Sequence, residues 1–228
     1  EVARILSCRA GQVTAGAAHE MNNPLAVISG RAQLLLTRLD QPKDRAAAQS
    51  IADASMRLSE LISSLHLLAE PVPVKHATIN LRALLDKGVA MGSEKASSNR
   101  PIEVTIVGAP DTVRTDPDLF ASALAEIITN AIEACPTGVI EVNASCGVGG
   151  KDKSRLFVAV RDTGQGMSAK ALHHAFDPFF SEKPAGRQRG LGLTRARRIA
   201  DSLGGDIILD SQQGKGTTAT LIVRTETV

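Results

Sequence analysis

His19 is the residue whose type and surroundings most favour nucleophilic chemistry in this chain. It follows the apolar residue Ala18 in a segment with helical periodicity, so its ring is turned about 100° away from the apolar face. Glu20 stands beside it, and a carboxylate can orient one imidazole nitrogen and leave the other as a nucleophile. A surface histidine without a chemical role would show the same pattern, so both interpretations stay open at this point.

A second group of polar residues follows helical spacing. Glu126, Asn130 and Glu133 are four and three positions apart, which places them on one face of a predicted helix. Amide and carboxylate oxygens are hard ligands that suit Mg²⁺, so Asn130 and Glu126 are candidate metal ligands. A solvated helix face that binds nothing would have the same spacing.

Two glycine-containing segments could shape a pocket for a nucleotide. Asp162 follows a predicted strand that ends at Val160, and Gly164 and Gly166 come after it. Its carboxylate can accept a hydrogen bond from an adenine amino group, while the glycines let the backbone approach the base. Gly190 and Gly192 precede another predicted helix, whose free N–H groups can bind phosphate oxygens. Tight turns also use Asp and Gly, so neither segment is specific when taken alone.

Cationic residues lie between these two glycine segments. Three of the five Phe residues of the chain fall within 176–180, and Lys183, Arg187 and Arg189 follow in a loop that contains Pro and Gly. Such a cluster can anchor a mobile lid whose cations meet phosphate groups. An ordinary surface loop held by its Phe residues is the alternative.

The elements that must position these groups fall into two halves, of which the first is helical. Apolar residues separated alternately by three and four positions run from Ala18 to Leu39 and again from Ala47 to Leu68, which predicts two long helices. A short turn at 41–44 makes them an antiparallel hairpin. A single hairpin would leave one side of both apolar seams exposed, so we expect a homodimer that forms a four-helix bundle.

The second half alternates short β-branched segments with helical ones. Strands are predicted at 102–107, 139–144, 156–160, 206–209 and 217–223, and helices at 81–97, 118–134 and 193–203. This alternation predicts an α/β sandwich. The fold class is therefore α+β, with a helical hairpin at 1–70, a linker at 71–76 and an α/β sandwich domain at 77–228.

Composition limits the class of function. The formal net charge of the 228 residues is +2 and the chain has neither Trp nor Tyr, so we expect no nucleic-acid partner. No apolar stretch is long enough for a membrane span, and the three scattered Cys residues lack metal-ligand spacing. The few scattered Cys residues favour a reducing cytosol, so we expect a cytoplasmic location. Because the sequence starts at Glu1 rather than Met, we expect a fragment of a longer protein that is either membrane-anchored or soluble.

Five segments in a fixed order resemble one family. The sequence His19-Glu20-Met21-Asn22-Asn23-Pro24-Leu25 resembles the H-box of two-component sensor histidine kinases, nearest to the nitrogen-regulatory type with Asn before Pro. The segments at 126–134, 161–167, 176–183 and 190–193 resemble the N, G1, F and G2 boxes of that family's ATP-binding domain, a fold similar to that of the gyrase, heat-shock-90 and mismatch-repair ATPases. The likeness covers nearly the whole chain. Gln188 departs from it, since the last glycine box often has its first glycine there, and this concerns the conformation of the lid.

The resemblance implies an ATP-dependent histidine protein kinase. His19 would be autophosphorylated and would pass the phosphoryl group to an aspartate of a response regulator, with Glu20 as the assisting base. Asn23 would orient water when the same protein dephosphorylates the regulator. In the pocket the resemblance implies Asn130 and Glu126 at Mg²⁺, Asp162 at adenine, Lys183, Arg187 and Arg189 at the phosphates of ATP, and a wall shaped by Gly164, Gly166, Gly190 and Gly192.

Two other functions are compatible with parts of this pattern. A nucleotide-gated clamp or scaffold would explain the pocket, but it gives no reason for the small residues around His19. A degenerate kinase kept mainly as a response-regulator phosphatase would use Asn23, but the complete set of nucleotide boxes favours kinase activity.

Overall fold

The chain divides into two compact units, Glu1–Pro71 and Val72–Val228. The structure is a computed structural model that describes residues 2–69, 73–149, 152–181 and 190–227, with side chains described for 20–59, 62, 73–147, 155–181 and 190–225. The first unit consists of the helices α1 (Val2–Arg38) and α2 (Pro42–Ala69). The second unit contains the helices α3 (Leu81–Lys95), α4 (Pro117–Ala134), α5 (Ala169–His173) and α6 (Gly192–Ser202) and the strands β1 (Ala77–Asn80), β2 (Glu103–Ile106), β3 (Thr112–Thr115), β4 (Ile140–Gly149), β5 (Asp152–Asp162), β6 (Asp206–Gln212), β7 (Gly216–Arg224) and β8 (Glu226–Thr227).

The first unit is the predicted helical hairpin. α1 continues as a helix through Pro24, and α2 begins with a proline, whose fixed φ suits the first position of a helix. Arg45 Nη1 donates hydrogen bonds to the carbonyl oxygens of Leu36 at 2.8 Å and Leu39 at 3.3 Å, which satisfies carbonyls left free at the end of α1. None of the helices in the described part of the chain is long and apolar enough to cross a membrane.

Burial in the hairpin differs from the predicted seam. The described residues that are buried there are small or lie far apart: Leu25, Ala32, Ala48, Ala52 and Ser55. In α2 the buried face is therefore shifted by one position from the predicted seam residues Ala47, Ile51 and Ala54, which are exposed. The apolar period of α2 is correct, but the single hairpin packs its small residues inward and leaves the large ones outside.

The second unit is an α/β sandwich, as predicted, and it contains two sheets. Five strands form a mixed sheet in the order β2-β4-β5-β7-β6, in which β2 and β4 are parallel and the other neighbours are antiparallel. A separate three-stranded sheet has the order β1-β3-β8. α4 packs on β5 and β7, and α6 packs on β6, so one apolar core lies between helices and sheet.

α4 is the central helix of this core. Asp116 is its N-cap and accepts hydrogen bonds from the backbone N–H groups of Asp118 at 3.1 Å and Leu119 at 3.0 Å, and Pro117 occupies the first turn. α3 lies so close to α4 that a Cβ at Gly88 would be 2.7 Å from the Leu124 side chain. The helix that carries the candidate metal ligands is thus held from both sides.

The short elements of this unit were not predicted from the sequence. All five predicted strands and all three predicted helices of this unit are present, with ends shifted by a few residues. β1 and β3 have four residues each, β8 has two and α5 has five, so none of them is long enough to show a period.

Candidate functional site

The polar face of α4 is only partly solvated. Glu126 is buried, with 5% of the residue exposed, whereas Asn130 and Glu133 are half-buried. The opposite face buries Leu124 and Ile127 in the core, as the spacing predicted. A carboxylate at 5% exposure is costly unless it is paired with a cation, so Glu126 must have partners.

Those partners come from two other helices. Glu126 Oε2 pairs with Lys95 Nζ at the end of α3, and Glu126 Oε1 accepts a hydrogen bond from Arg195 Nη1 of α6 at 3.2 Å. Both carboxylate oxygens therefore already have cationic partners. The role of Glu126 as a metal ligand stays a prediction, and the structure shows its carboxylate in ion pairs with Lys95 and Arg195.

Asn130 carries a buried amide nitrogen at the cavity. Its Nδ2 atom forms no hydrogen bond with the residues that the structure describes. Since buried polar atoms are almost always satisfied, such a group at a cavity wall indicates a site for a ligand or for water. The same side chain carries Oδ1, an oxygen of the kind that Mg²⁺ prefers.

Asp162 ends β5 and controls the turn that follows it. Its Oδ1 accepts a hydrogen bond from the backbone N–H of Gly164 at 2.8 Å, and the residue is 5% exposed. The turn lies against the end of α4, since the N–H of Gln165 donates to the Ala134 carbonyl at 3.1 Å. Gly166 has a φ of +63°, and a Cβ there would lie 2.0 Å from the carbonyl oxygen of Gln212. Glycine is therefore required at 166 for both conformation and space.

The Phe-rich segment lies against Gly190 and α6. The N–H of Phe179 donates to the Gly190 carbonyl at 3.0 Å, and Gly190 itself has a φ of +66°. The Phe176 carbonyl accepts a hydrogen bond from Thr194 Oγ1 at 2.9 Å. The guanidinium of Arg197 stacks 4.6 Å from the centroid of the Phe176 ring. The second glycine segment and the Phe segment are thus brought together at the start of α6.

These segments enclose one cavity of about 260 Å³. Of the predicted site residues, Asn130, Gly166, Gly190 and Gly192 line it, and Asp162 and Gly164 lie in the turn beside it. The other lining residues are Ala134, Gln165, Met167, Ser168, Ala171, Ala175, Phe180, Ser181, Leu193, Gln213 and Thr217. The mixture of apolar side chains, backbone at glycines and a few polar groups is typical of small-molecule sites.

Several predicted residues lie outside what the structure describes. Lys183, Arg187, Arg189 and the departure at Gln188 fall in 182–189, outside the described residues. His19 lies in α1, but its side chain is outside the described set. Glu20 and Asn23 are described, and both are exposed on α1.

Sequence reasoning missed Thr217 and Gln213 in the pocket wall. Thr217 is the partner of Asp162 in the pairing of β5 with β7, and its Oγ1 lies 2.8 Å from Ser211 Oγ. Ser211 Oγ in turn accepts a hydrogen bond from the backbone N–H of Met167 at 2.9 Å. The strand pairing brings Thr217 to the cavity, and the pairing of strands that are distant in sequence leaves no local pattern.

Two family models match the chain. Residues 9–71 match the His Kinase A (phospho-acceptor) domain, and residues 115–227 match the Histidine kinase-, DNA gyrase B-, and HSP90-like ATPase family. The first match includes His19, most of α1 and all of α2. The second includes α4 and every described segment that lines the cavity.

Curated relatives agree with both matches. The chain is 35% identical to the sensor histidine kinase ZraS of Escherichia coli K12 across 92% of its own length and 44% of that relative. It is 28% identical to sporulation kinase E of Bacillus subtilis across 91% of its length and 27% of that protein. The chain thus spans less than half the length of these two curated relatives.

The fold is also similar to that of solved structures. One of these is the crystal structure of full-length ShkA in complex with AMPPNP, which matches with a TM-score of 0.73 over 95% of this chain and 46% of that chain. The sequence identity is 22%, so this likeness concerns the fold.

Proposed function

This chain belongs to the histidine kinases of two-component systems, and we propose that it transfers the γ-phosphoryl group of ATP to His19 and then to an aspartate of a response regulator. The observation that carries the proposal is the cavity of the second unit, where the N, G1, F and G2 segments meet around Asn130. Asn130 Nδ2, which has no hydrogen-bond partner among the described residues, supports a polar ligand there.

The residues at the cavity fit an adenine nucleotide with Mg²⁺. Asp162 would accept a hydrogen bond from the adenine amino group at the turn shaped by Gly164 and Gly166. Gly190 precedes α6 and Gly192 begins it. The first N–H groups of this helix would bind phosphate oxygens, together with Lys183, Arg187 and Arg189. Asn130 would hold Mg²⁺ with Glu126 behind it, and bound Mg²⁺ would supply neutralisation of phosphate charge.

The chemistry at the hairpin is nucleophilic substitution at phosphorus. One imidazole nitrogen of His19 attacks the γ-phosphorus, a new N–P bond forms, and the bond to the leaving oxygen of ADP breaks. Glu20, exposed beside it on α1, orients the ring and accepts the proton from its other nitrogen. Positioning and charge neutralisation supply most of the rate for such a transfer.

A homodimer would complete the hairpin. Ile28 is 45% exposed, Leu35 46%, Ile51 47% and Leu58 49%, and all four belong to the predicted seams. A second copy of the hairpin would cover these residues in a four-helix bundle, which supports the dimer as the working form.

Incubation with γ-labelled ATP and Mg²⁺ tests the proposal. We expect an acid-labile label on the protein, abolished by His19→Gln because the nucleophile is absent. Asp162→Asn should weaken labelling through lower nucleotide affinity. The matched control is His76→Gln, which removes an exposed histidine and should label like the wild type. Label that persists after His19→Gln would refute the assignment.

Dephosphorylation of the regulator is a second candidate activity. Asn23 is exposed on α1 one helical turn after His19, so its amide can orient a water molecule toward a docked phosphoaspartate. We expect Asn23→Ala to slow loss of phosphate from the regulator and leave autophosphorylation of His19 unchanged. Equal loss of both activities would point to a structural role for Asn23.

A further inference from the structure

Three helices of the second unit meet at one buried carboxylate. The side chain of Glu126 on α4 is 6% exposed and pairs with Lys95 of α3 and Arg195 of α6, whose side chains are 40% and 35% exposed. We call Glu126, Lys95 and Arg195 the Glu126 cluster. One carboxylate faces two cations, so the cluster carries a formal charge of +1.

The Glu126 cluster borders the nucleotide cavity. A Cβ at Gly192 would lie 3.0 Å from Glu126 Oε2 and 3.6 Å from Asn130 Nδ2, and both Gly192 and Asn130 line the cavity. Oε2 is also the atom that pairs with Lys95. The ammonium group of Lys95 is therefore separated from the cavity wall by a single carboxylate group.

The positive charge next to this wall exceeds the single negative charge of Glu126. Arg195 lies in the first turn of α6, where the helix dipole already places partial positive charge and where no acidic residue is present. A cation is unfavourable at that end of a helix unless an anion lies close to it. Glu126 supplies one negative charge for Arg195, Lys95 and the helix end together, so the balance favours a further anion in the cavity.

We propose that Lys95 and Arg195 receive the terminal phosphates of the nucleotide, with Glu126 as the positioning residue that holds both cations next to the lining residues Asn130 and Gly192. This inference rests on the proposed function, because it takes the cavity to be the ATP site. It assigns to α3 a direct part in binding phosphate. It also leaves Asn130 as the metal-facing group of α4, since both oxygens of Glu126 are used by the cations.

The charge at Lys95 is tested by comparing ligands that differ only in their phosphates. Isothermal titration of the whole chain with ATP, ADP and adenosine would be carried out on wild type and Lys95→Met. Because a charged hydrogen bond to phosphate is lost, we expect affinity for ATP to fall about tenfold or more, ADP to fall less, and adenosine to stay within about twofold. An equal loss for all three ligands, or unchanged ATP affinity, would overturn the inference.

Two control variants separate charge from general damage. Lys87→Met removes a lysine of the same helix that pairs with exposed Asp118 at 2.6 Å, and it should leave all three affinities unchanged. Lys95→Arg keeps the positive charge and should retain most of the affinity for ATP. A loss in Lys95→Arg as large as in Lys95→Met would contradict a role that depends on charge.

A double variant separates phosphate binding from simple neutralisation of Glu126. In Lys95→Met with Glu126→Gln the buried carboxylate no longer needs a cation, so any defect caused by an unpaired Glu126 disappears. Titration in EDTA removes any contribution of a metal. We expect ATP affinity to stay low, whereas full recovery would show that Lys95 only neutralises Glu126. A wild-type chain that binds none of the three ligands contradicts the proposed function itself.

Discussion

The two units of this chain bury their apolar residues in opposite ways. In the second unit the largest side chains are sealed completely, with Phe120, Leu124 and Leu156 at 0% exposure. In the described part of the hairpin the buried positions are mostly Ala and Ser, while Met21 is 53% and Leu58 49% exposed. The second unit closes its core within one chain, and the hairpin does not.

This difference shows which unit needs a partner. A two-layer α/β unit covers both faces of its sheet or helices with its own elements. Two helices can cover only one side of each other, and contiguous exposed apolar residues mark an interaction surface. We infer that assembly is a property of the phospho-acceptor hairpin and that nucleotide binding is a property of the second unit.

The largest effect is expected from a charge on the exposed face of the hairpin. Leu58→Lys would place a cation in the bundle of both copies, so the dimer dissociation constant should rise on the order of 1000-fold, about 4 kcal/mol. Sedimentation at several concentrations measures this change. Val107 of the second unit is 64% exposed, and Val107→Lys should leave the dimer intact. Equal dimer dissociation constants for the two variants would contradict the inference that the hairpin forms the dimer.

A truncation inside the second unit should act on stability and leave assembly alone. Phe120 is fully buried in the core, so Phe120→Ala should lower the free energy of unfolding of that unit by about 3 kcal/mol through lost burial and a cavity. Thermal unfolding followed with and without nucleotide measures the effect. The dimer should persist, and a monomeric Phe120→Ala protein would show that the two units do not behave independently.

A smaller effect is expected where glycine shapes the pocket. Gly166 combines a φ of +63° with a neighbouring carbonyl 2.0 Å from the position of a Cβ, so Gly166→Ala should cost about 2 kcal/mol in strain and crowding. Titration with ATP should show weaker binding as the turn at the base shifts. Wild-type affinity in this variant would mean that the turn does not form part of the site.

The smallest effect is expected at Gly30, a glycine of the hairpin. A Cβ at Gly30 meets nothing within 4 Å, and the residue lies inside α1. Gly30→Ala should therefore stabilise the hairpin by about 0.5–1 kcal/mol by reducing the backbone freedom of the unfolded chain. A higher unfolding temperature of the hairpin would agree with this, and destabilisation would indicate that a second chain approaches Gly30 closely.

The sequence could predict what local spacing encodes. The hairpin, the α/β class and the length of α4 follow from periodicity, because an apolar face has the same period wherever it packs. The face of α2 that packs within the hairpin could not be predicted, since Ala48 and Ala52 follow the seam residues by one position and either set has a helical period. Small residues pack between the two helices and large ones remain for another surface.

Contacts between distant segments explain the rest of the differences. The metal-ligand role of Glu126 stays a prediction from its spacing with Asn130. Its ion-pair partners Lys95 and Arg195 could not be predicted, because they are 31 and 69 residues away. Thr217 reaches the cavity only through its pairing with Asp162 in the sheet. Neither contact affects the local composition of the sequence. The charge balance of the site could therefore be determined only from the folded structure.

The central claim is that the second unit holds ATP and that His19 in the hairpin receives its phosphoryl group. Mass spectrometric mapping of the phosphorylated residue, after incubation of the whole chain with ATP and Mg²⁺, tests it most directly. The expected result is one acid-labile phosphoryl group on His19, strongly reduced when Asp162→Asn weakens nucleotide binding. A phosphoryl group on any other residue, or nucleotide turnover without any phosphorylated histidine, would contradict it.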